Sequence, residues 1–335
     1  MKNINLIKVM LIAFALLGVI IVIAAISTLS DGESADTVKS AEERGVINVL
    51  VLGNDSEAKL SDVIMLVSFN MASGDSCVMQ IPRDTYLNYT TSSYKKINGA
   101  PRELGAEGFC SFLSEAIGVE IDYYISLTLD AVAQMVDTLG GIEVDVPCDM
   151  DYEDPDQRLS IHIKAGMQRL DGASAVKFLR YRSGYVTGDL GRVNAQKLFM
   201  SAFAKRLGEN KNPIKAYKMF KLFLQNCETN ITEQDVYNIA GASSKGADGE
   251  HYYVTAPGEA IQSEQSGAWY YVLSASAMSE LLKSHFAPDN AQIVFDKDNK
   301  FVDKRVKSFY DIYKSHCEYK IYSDEDIENN IIDIH

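Results

Sequence analysis

Two aspartates and a set of arginines carry the chemistry this sequence offers. Asp55 stands in Leu52-Gly53-Asn54-Asp55-Ser56 and Asp62 in Leu60-Ser61-Asp62, flanking the turn between two apolar runs. In an α/β sheet, side chains at strand ends converge on the crevice where ligands bind. Two carboxylates seven residues apart across such a turn offer hard oxygen ligands to one divalent cation. The same residue types also serve turns through local hydrogen bonds, so the pair by itself leaves both roles open. Ile81-Pro82-Arg83-Asp84 puts an arginine at the end of a third apolar run. Arg180-Tyr181-Arg182 sets two guanidinium groups at the end of an expected helix. Gly188-Asp189-Leu190-Gly191-Arg192 opens the next helix, with Gln196 a turn further on. Guanidinium groups are permanently charged, planar forks of donors that match phosphate oxygens. Each alone reads equally well as a solvated surface charge. Together, in an acidic chain, they point to a positive pocket for a pyrophosphate, faced by a divalent metal on Asp55 and Asp62.

The elements that must position these residues belong to a chain of 335 residues, 47% hydrophobic and 23% charged. That composition supports a sizeable core in one large or two modest domains and excludes global disorder. Acids outnumber Lys and Arg by 46 to 32, a net charge of −14. The first thirty residues contain Lys2 and Lys8 but no acid, so the remainder is more negative still. Such a surface repels a nucleic-acid backbone, and no nucleic-acid partner is expected. Cys77, Cys110, Cys148, Cys227 and Cys317 are widely spaced without a C-x-x-C, and the five histidines never fall at i, i+4. The clustered ligands of a zinc site are absent from the sequence. The phosphate-binding G-x-x-x-x-G-K-[ST] and G-x-G-x-x-G loops and the G-x-S-x-G elbow are absent as well.

Val9 to Leu29 runs 21 residues without a charge, at 1.5 Å per residue roughly the hydrocarbon thickness of a bilayer. Lys2 and Lys8 precede it, and Asp31, Glu33 and Asp36 follow. The basic flank predicts a single-pass cell-membrane protein with residues 1–8 cytoplasmic and the main domain extracytoplasmic. A cleaved signal peptide is the alternative, although its apolar core is usually only about 7–15 residues. Residues 30–45 are polar and aperiodic and read as a tether.

Apolar runs predict strands over 46–52, 63–69 and 77–81, the last two joined as a hairpin through Ala72-Ser73-Gly74. A helix is expected over 101–117 ending at Gly118, then a strand over 121–127. A helix over 130–139 stopped by Gly140-Gly141 and a strand over 142–146 follow. Asp171 suits the cap of a helix running to Arg180. Further helices are expected near 190–207, 213–225, 232–240 and 275–285. A strand at Gln292 to Phe295 and a helix around 303–315 precede the acidic run Asp324 to Glu328. Strands apolar on both faces, alternating with helices, predict a three-layer α-β-α sandwich with a central mixed sheet. The expected domain spans 46–285, and 286–335 form an acidic C-terminal extension that is either packed decoration or a loose tail.

The ordered segments LGNDS (52–56), LSDVIMLVSF (60–69), IPRDTY (81–86), KKINGA (95–100), VDTLGGIEVDVP (136–147), LDGASAVKFLRYR (170–182) and GDLGRVNAQ (188–196) resemble the LytR-CpsA-Psr family of cell-envelope glycopolymer ligases. An ordered set of this length is far more specific than one short motif. The resemblance implies Mg²⁺ (or Mn²⁺) on Asp55 and Asp62, and pyrophosphate clamps at Arg83, Arg180 and Arg182. It further implies pocket roles for Lys96, Asp189, Arg192 and Gln196. It implies transfer of a glycan phosphate, teichoic-acid-like or capsular, from a polyprenyl-pyrophosphate carrier to peptidoglycan, with the isoprenoid in an apolar tunnel. A pyrophosphatase using water, and a non-catalytic binder of the lipid carrier, are the alternative readings of the same pocket. Two positions depart from the family pattern. Leu60 stands where the family has an arginine two residues before its second metal aspartate, and the family's Arg-Gln pair reads Ala195-Gln196. Lys59 offers a point charge there but not a bidentate fork.

Overall fold

The computed structural model describes residues 45–54, 60–155 (Ser92 excepted), 159–181, 225–232, 249–287 and 291–323, with Leu198, Phe199, Ala202, Phe203, Arg206, Asp235 and Asp326. The expected membrane helix 9–29 and most of the tether and of the helices 190–207, 213–225 and 232–240 lie outside the described residues. Among the described residues no helix is long and apolar enough to cross a membrane.

The first apolar run forms β1 (Val46–Asn54), the second β2 (Ser61–Asn70) and the third β3 (Ser76–Gln80). β1 pairs antiparallel with β2 from Val46↔Asn70 to Asn54↔Ser61, and β2 with β3. The hairpin between β2 and β3 forms as its sequence predicts, with Gly74 at φ 82° donating to Asn70 across 2.9 Å. β4 (Tyr123–Leu127) lies parallel to β1 on its other side. The sheet is completed by β9 (Cys227–Thr229) beside β4, β10 (His251–Thr255) parallel to β3, and β13 (Ile321–Ser323) on the far edge. Its seven strands run β13-β10-β3-β2-β1-β4-β9.

Strand alternation sends successive side chains to opposite faces. Ile47, Val49 and Val51 enter one core and Leu50 and Leu52 the other, just as Val63, Met65 and Val67 oppose Ile64 and Leu66. The helices follow this division. α1 (Ala100–Ile117) and α4 (Ala275–His285) cover one face; α2 (Leu129–Thr138) and α3 (Gly172–Arg180) cover the other. The sheet is mixed and covered on both sides. α1 ends at Gly118 in the left-handed region, and α2 stops before Gly140 and Gly141 at φ 77° and 87°, where glycine alone is unstrained.

Between α2 and α3 the chain builds two antiparallel ladders, β5 (Ile142–Val146) with β8 (Gly166–Leu170) and β6 (Met150–Asp154) with β7 (Leu159–Ile163). A third, β11 (Gly258–Gln262) with β12 (Trp269–Leu273), packs against α5 (Lys307–Lys314). The residues after 290 are thus packed on the domain. Gln292 to Phe295 is not a strand, contrary to its apolar pattern. Asp296 and Asn299 adopt φ 53° and 55°, and Asp296 N–H donates to the Ala116 carbonyl at 2.8 Å. The segment caps the end of α1, with Phe295 stacked on Phe301 at 5.3 Å.

Candidate active site at the strand ends

Because β1 and β4 are parallel, β3 and β10 are parallel, and β2 opposes β1 and β3, one rim of the sheet collects four strand ends and the start of β2. Three buried or half-buried polar groups tie that rim together. Ser61 Oγ donates to Asn54 Oδ1 at 2.5 Å, and Asn54 Nδ2 donates to Ser126 Oγ at 2.5 Å. Asn54 ends β1, Ser61 begins β2 and Ser126 lies near the end of β4, so the network ties together the two strand ends that flank residues 55–60 in the chain. Asp62 is the second residue of β2; its carboxylate lies outside what is described.

Ile81 N–H donates to the Ile64 carbonyl at 2.9 Å, so the chain leaves β3 at the rim where β2 enters. A tight turn follows, with Thr85 N–H and Oγ1 both donating to the Pro82 carbonyl at 2.9 and 2.6 Å. Proline fixes φ for that turn, and the turn presents Arg83 and Asp84. Both are clamped through their backbones. The Arg83 carbonyl accepts from Asn98 N–H at 3.3 Å and the Asp84 carbonyl from Tyr271 N–H at 2.9 Å. Lys96 lies alongside, bridged to Tyr86, and its Nζ meets Asp84 Oδ1 at 2.8 Å and the Tyr270 ring at 5.7 Å from the centroid.

Arg180 is the last residue of α3 and half-buried. Asp171 caps that helix by accepting from Ser174 N–H at 2.7 Å, as its sequence predicts. A Cβ at Gly172 would stand 2.2 Å from the Ala133 carbonyl oxygen of α2, so only glycine lets the two helices approach this closely. Gly172 N–H also donates to Asp137 Oδ1 at 2.7 Å. α3 thereby has one fixed seat, and Arg180 one position.

Asp55, Arg182, Asp189, Arg192 and Gln196 lie outside the described residues. Of the expected site, the structure therefore sets Arg83, Lys96 and the backbone of Asp62 at one rim and places Arg180 at the end of α3. Among the described residues no three His, Cys, Asp or Glu side chains gather to hold a metal. All five cysteines are free thiols. Burial pushes Cys77, Cys110 and Cys227 up to about 12, which leaves them inert at neutral pH. Sequence reasoning missed Asp84 and Tyr270. Asp84 sits inside the IPRDTY segment, and its neighbour Arg83 was the signal; Tyr270 carried none.

A mixed sheet between two helical layers, with basic and acidic side chains on its strand-end rim, defines an α/β protein with a candidate site for an anionic ligand. The sequence model of the LytR_cpsA_psr family matches residues 21–286, and the chain belongs to that family. The teichoic acid transferase TagV of Bacillus subtilis is 32% identical over 198 residues, 56% of this chain and 50% of TagV. The probable cell wall biosynthesis protein LcpB of Corynebacterium glutamicum is 34% identical over 52% of this chain and 41% of its own length. The alignments thus span about half or less of these relatives. The crystal structure of B. subtilis TagV is similar with a TM-score of 0.56 at 26% identity, covering 72% of this chain and 96% of that one. Protein gbs0355 of Streptococcus agalactiae shares the fold with a TM-score of 0.66 at 18% identity, over 85% of this chain and all of the other.

Proposed function

We propose that this protein is a phosphotransferase that moves a glycopolymer phosphate from a polyprenyl-pyrophosphate carrier to a hydroxyl of peptidoglycan. It does so on the outer side of the cell membrane, to which residues 9–29 anchor it. The observation that carries this reading is the family's motif set in a chain whose Arg83, Lys96 and Asp62 backbone share one rim of the sheet. TagV, the relative aligned over 198 residues, bears the name of a polyisoprenyl-teichoic acid–peptidoglycan teichoic acid transferase.

In this reading the bond between the glycan-bearing phosphorus and the bridging oxygen breaks. The acceptor hydroxyl oxygen bonds to that phosphorus, its proton leaves to a base for which Asp189 is the one candidate named by the sequence, and polyprenyl phosphate departs. Arg83, Arg180 and Arg182 hold the two phosphates and stabilise charge building on the leaving phosphate. Lys96, Arg192 and Gln196 complete the contacts to the head group. The all-oxygen pair Asp55 and Asp62 suits Mg²⁺ or Mn²⁺, hard ions that take one or two carboxylates and keep several waters. The fixed Asn54–Ser61 hydrogen bond beside the turn fits such a site, because it holds both flanks of the pair in register. When bound, the ion supplies positive charge to pyrophosphate oxygens.

The test uses the full-length protein and a labelled lipid-linked donor, with and without peptidoglycan acceptor. Divalent-ion-dependent release of polyprenyl phosphate that requires the acceptor and disappears in Asp62→Ala is expected. Release that ignores the acceptor makes the protein a hydrolase, and binding without release makes it a carrier; either result overturns the transferase reading.

A further inference from the structure

A cavity of about 590 Å³ opens next to the candidate active site, between the loop Tyr86 to Lys95, the turn of the β11–β12 hairpin and the segment Asn299 to Phe309. Its volume falls in the range of about 300–1,000 Å³ typical of ligand sites. Tyr270 joins the two places: it lines the cavity and carries the Lys96 ammonium over its ring. Tyr86, Tyr270 and Phe309 pack edge to face at centroid separations of 5.8, 5.5 and 5.4 Å, giving the cavity an aromatic wall.

The charge around that wall runs against the rest of the chain. The ionisable Lys, Arg, Asp and Glu side chains of the lining are Lys95, Lys304, Arg305 and Asp303, a local excess of two positive charges in a protein of net −14. Arg305 is held by Asp303 through bonds of 2.9 and 2.7 Å, and Lys95 Nζ donates to Asn88 Oδ1 at 2.8 Å. Arg305 and Lys95 are therefore positioned; Lys304 and Arg305 are exposed to solvent and Lys95 is half-buried. Asn299 to Phe309 lies beyond the residues 21–286 that the family model matches, so this wall is supplied by the chain's own later segment.

We propose that this cavity is a subsite for an anionic oligosaccharide, whose apolar sugar face lies against the partly exposed Tyr270 ring, braced from behind by the buried Tyr86 and Phe309, and whose carboxylates or phosphodiesters meet Lys95, Lys304 and Arg305. Aromatic side chains offer flat apolar area beside polar tips, which matches the mixed surface of a sugar. The local cation excess selects acidic saccharides over neutral ones. The proposal rests on the function above only for the source of the saccharide, which is either the acceptor glycan strand or the polymer carried by the donor.

The test is calorimetric titration of the full-length protein in detergent with three probes. These are a tetrasaccharide of alternating N-acetylglucosamine and N-acetylmuramic acid, a glycerol-phosphate oligomer on a disaccharide, and neutral chitotetraose. Saturable binding of an acidic probe is expected, weaker by about tenfold in Lys304→Glu/Arg305→Glu and retained in Lys304→Arg. Lys95→Glu, across the cavity, gives an independent second reading should the double variant fold poorly. Preference for the muramic-acid probe assigns the subsite to the acceptor, and preference for the glycerol-phosphate probe assigns it to the donor's polymer. No saturable binding of either acidic probe, equal binding of chitotetraose, or affinities unchanged in the charge-reversed variants overturns the proposal. Asp62→Ala should leave this binding intact, so loss of transfer alone bears on the proposed function and not on the subsite.

Discussion

Lys96 donates to Asp84 across 2.8 Å, and the same ammonium lies 5.7 Å from the centre of the Tyr270 ring. The ion pair is half-buried and ties the KKINGA segment to the turn that carries Arg83. Lys96→Met should remove the point charge and the cation–π contact while keeping the stem. Partly exposed pairs contribute about 1 kcal/mol or less, so the thermal midpoint should barely move. Release of polyprenyl phosphate from a labelled donor should fall on the order of tenfold to a hundredfold. A large drop in midpoint with unchanged turnover would reassign Lys96 to structure.

Gly172→Ala tests how α3 is seated. The added methyl meets the Ala133 carbonyl at 2.2 Å, and backbone cannot step aside as a side-chain end can. Overpacking of this kind costs about 1–3 kcal/mol. Chemical denaturation should register that loss, and turnover should fall with it because Arg180 ends the displaced helix. Full activity in the variant would mean that α3 tolerates the shift.

Asn48 belongs to stability alone. Its Nδ2 donates to the carbonyls of Glu120 and Phe286 at 2.9 and 2.8 Å, and its N–H donates to Asp122 Oδ2 at 2.8 Å. Across the β1–β2 pair Ser68 donates to the His285 carbonyl, so both residues hold the end of α4. Asn48→Ala strands the buried Phe286 carbonyl at about 1–3 kcal/mol, a loss that thermal unfolding should register, while the part-buried Glu120 carbonyl can turn to water. Turnover per folded molecule should not change.

Asp296 provides a pH signature. Burial pushes its carboxyl up to about 6, against the opposing bonds from Phe301 and Lys300 N–H groups and the Tyr313 hydroxyl. The native state therefore binds more protons at this site than the unfolded chain between about pH 4 and 6. Stability from this group is full below that window and is lost as pH rises through it. Asp296→Asn, which suits the φ of 53°, should flatten this part of the stability profile. Parallel profiles for the two proteins would show that another group governs it.

The core strands were legible because their residues are apolar on both faces, a pattern that β1 and β2 satisfy almost throughout. The helix stops at Gly118 and Gly140 and the Asp171 cap were legible for local reasons of backbone geometry. The ladder of β6 and β7 was not read, although Leu159, Ile161 and Ile163 alternate with exposed neighbours, because acidic residues dominate its partner strand. Ile293, Val294 and Phe295 misled through composition alone: they lead into a turn that caps α1, where Phe295 stacks on Phe301 and Val294 is exposed. At the site, Arg83 and Lys96 were readable from residue type. Tyr270 was not, since it reaches Lys96 from a strand far along the chain and carries no charge to betray it.

The three residues of β13 close the outer rim of the sheet by pairing with Tyr252, Tyr253 and Val254 of β10. A polypeptide stopped at residue 286, where the family match ends, would lose that lid and leave β10 with a bare row of amides and carbonyls. Such rows recruit strands from other molecules. Shortening this protein to its recognisable portion should therefore yield clumped material, and the same short stretch that finishes the sheet also keeps neighbouring copies apart.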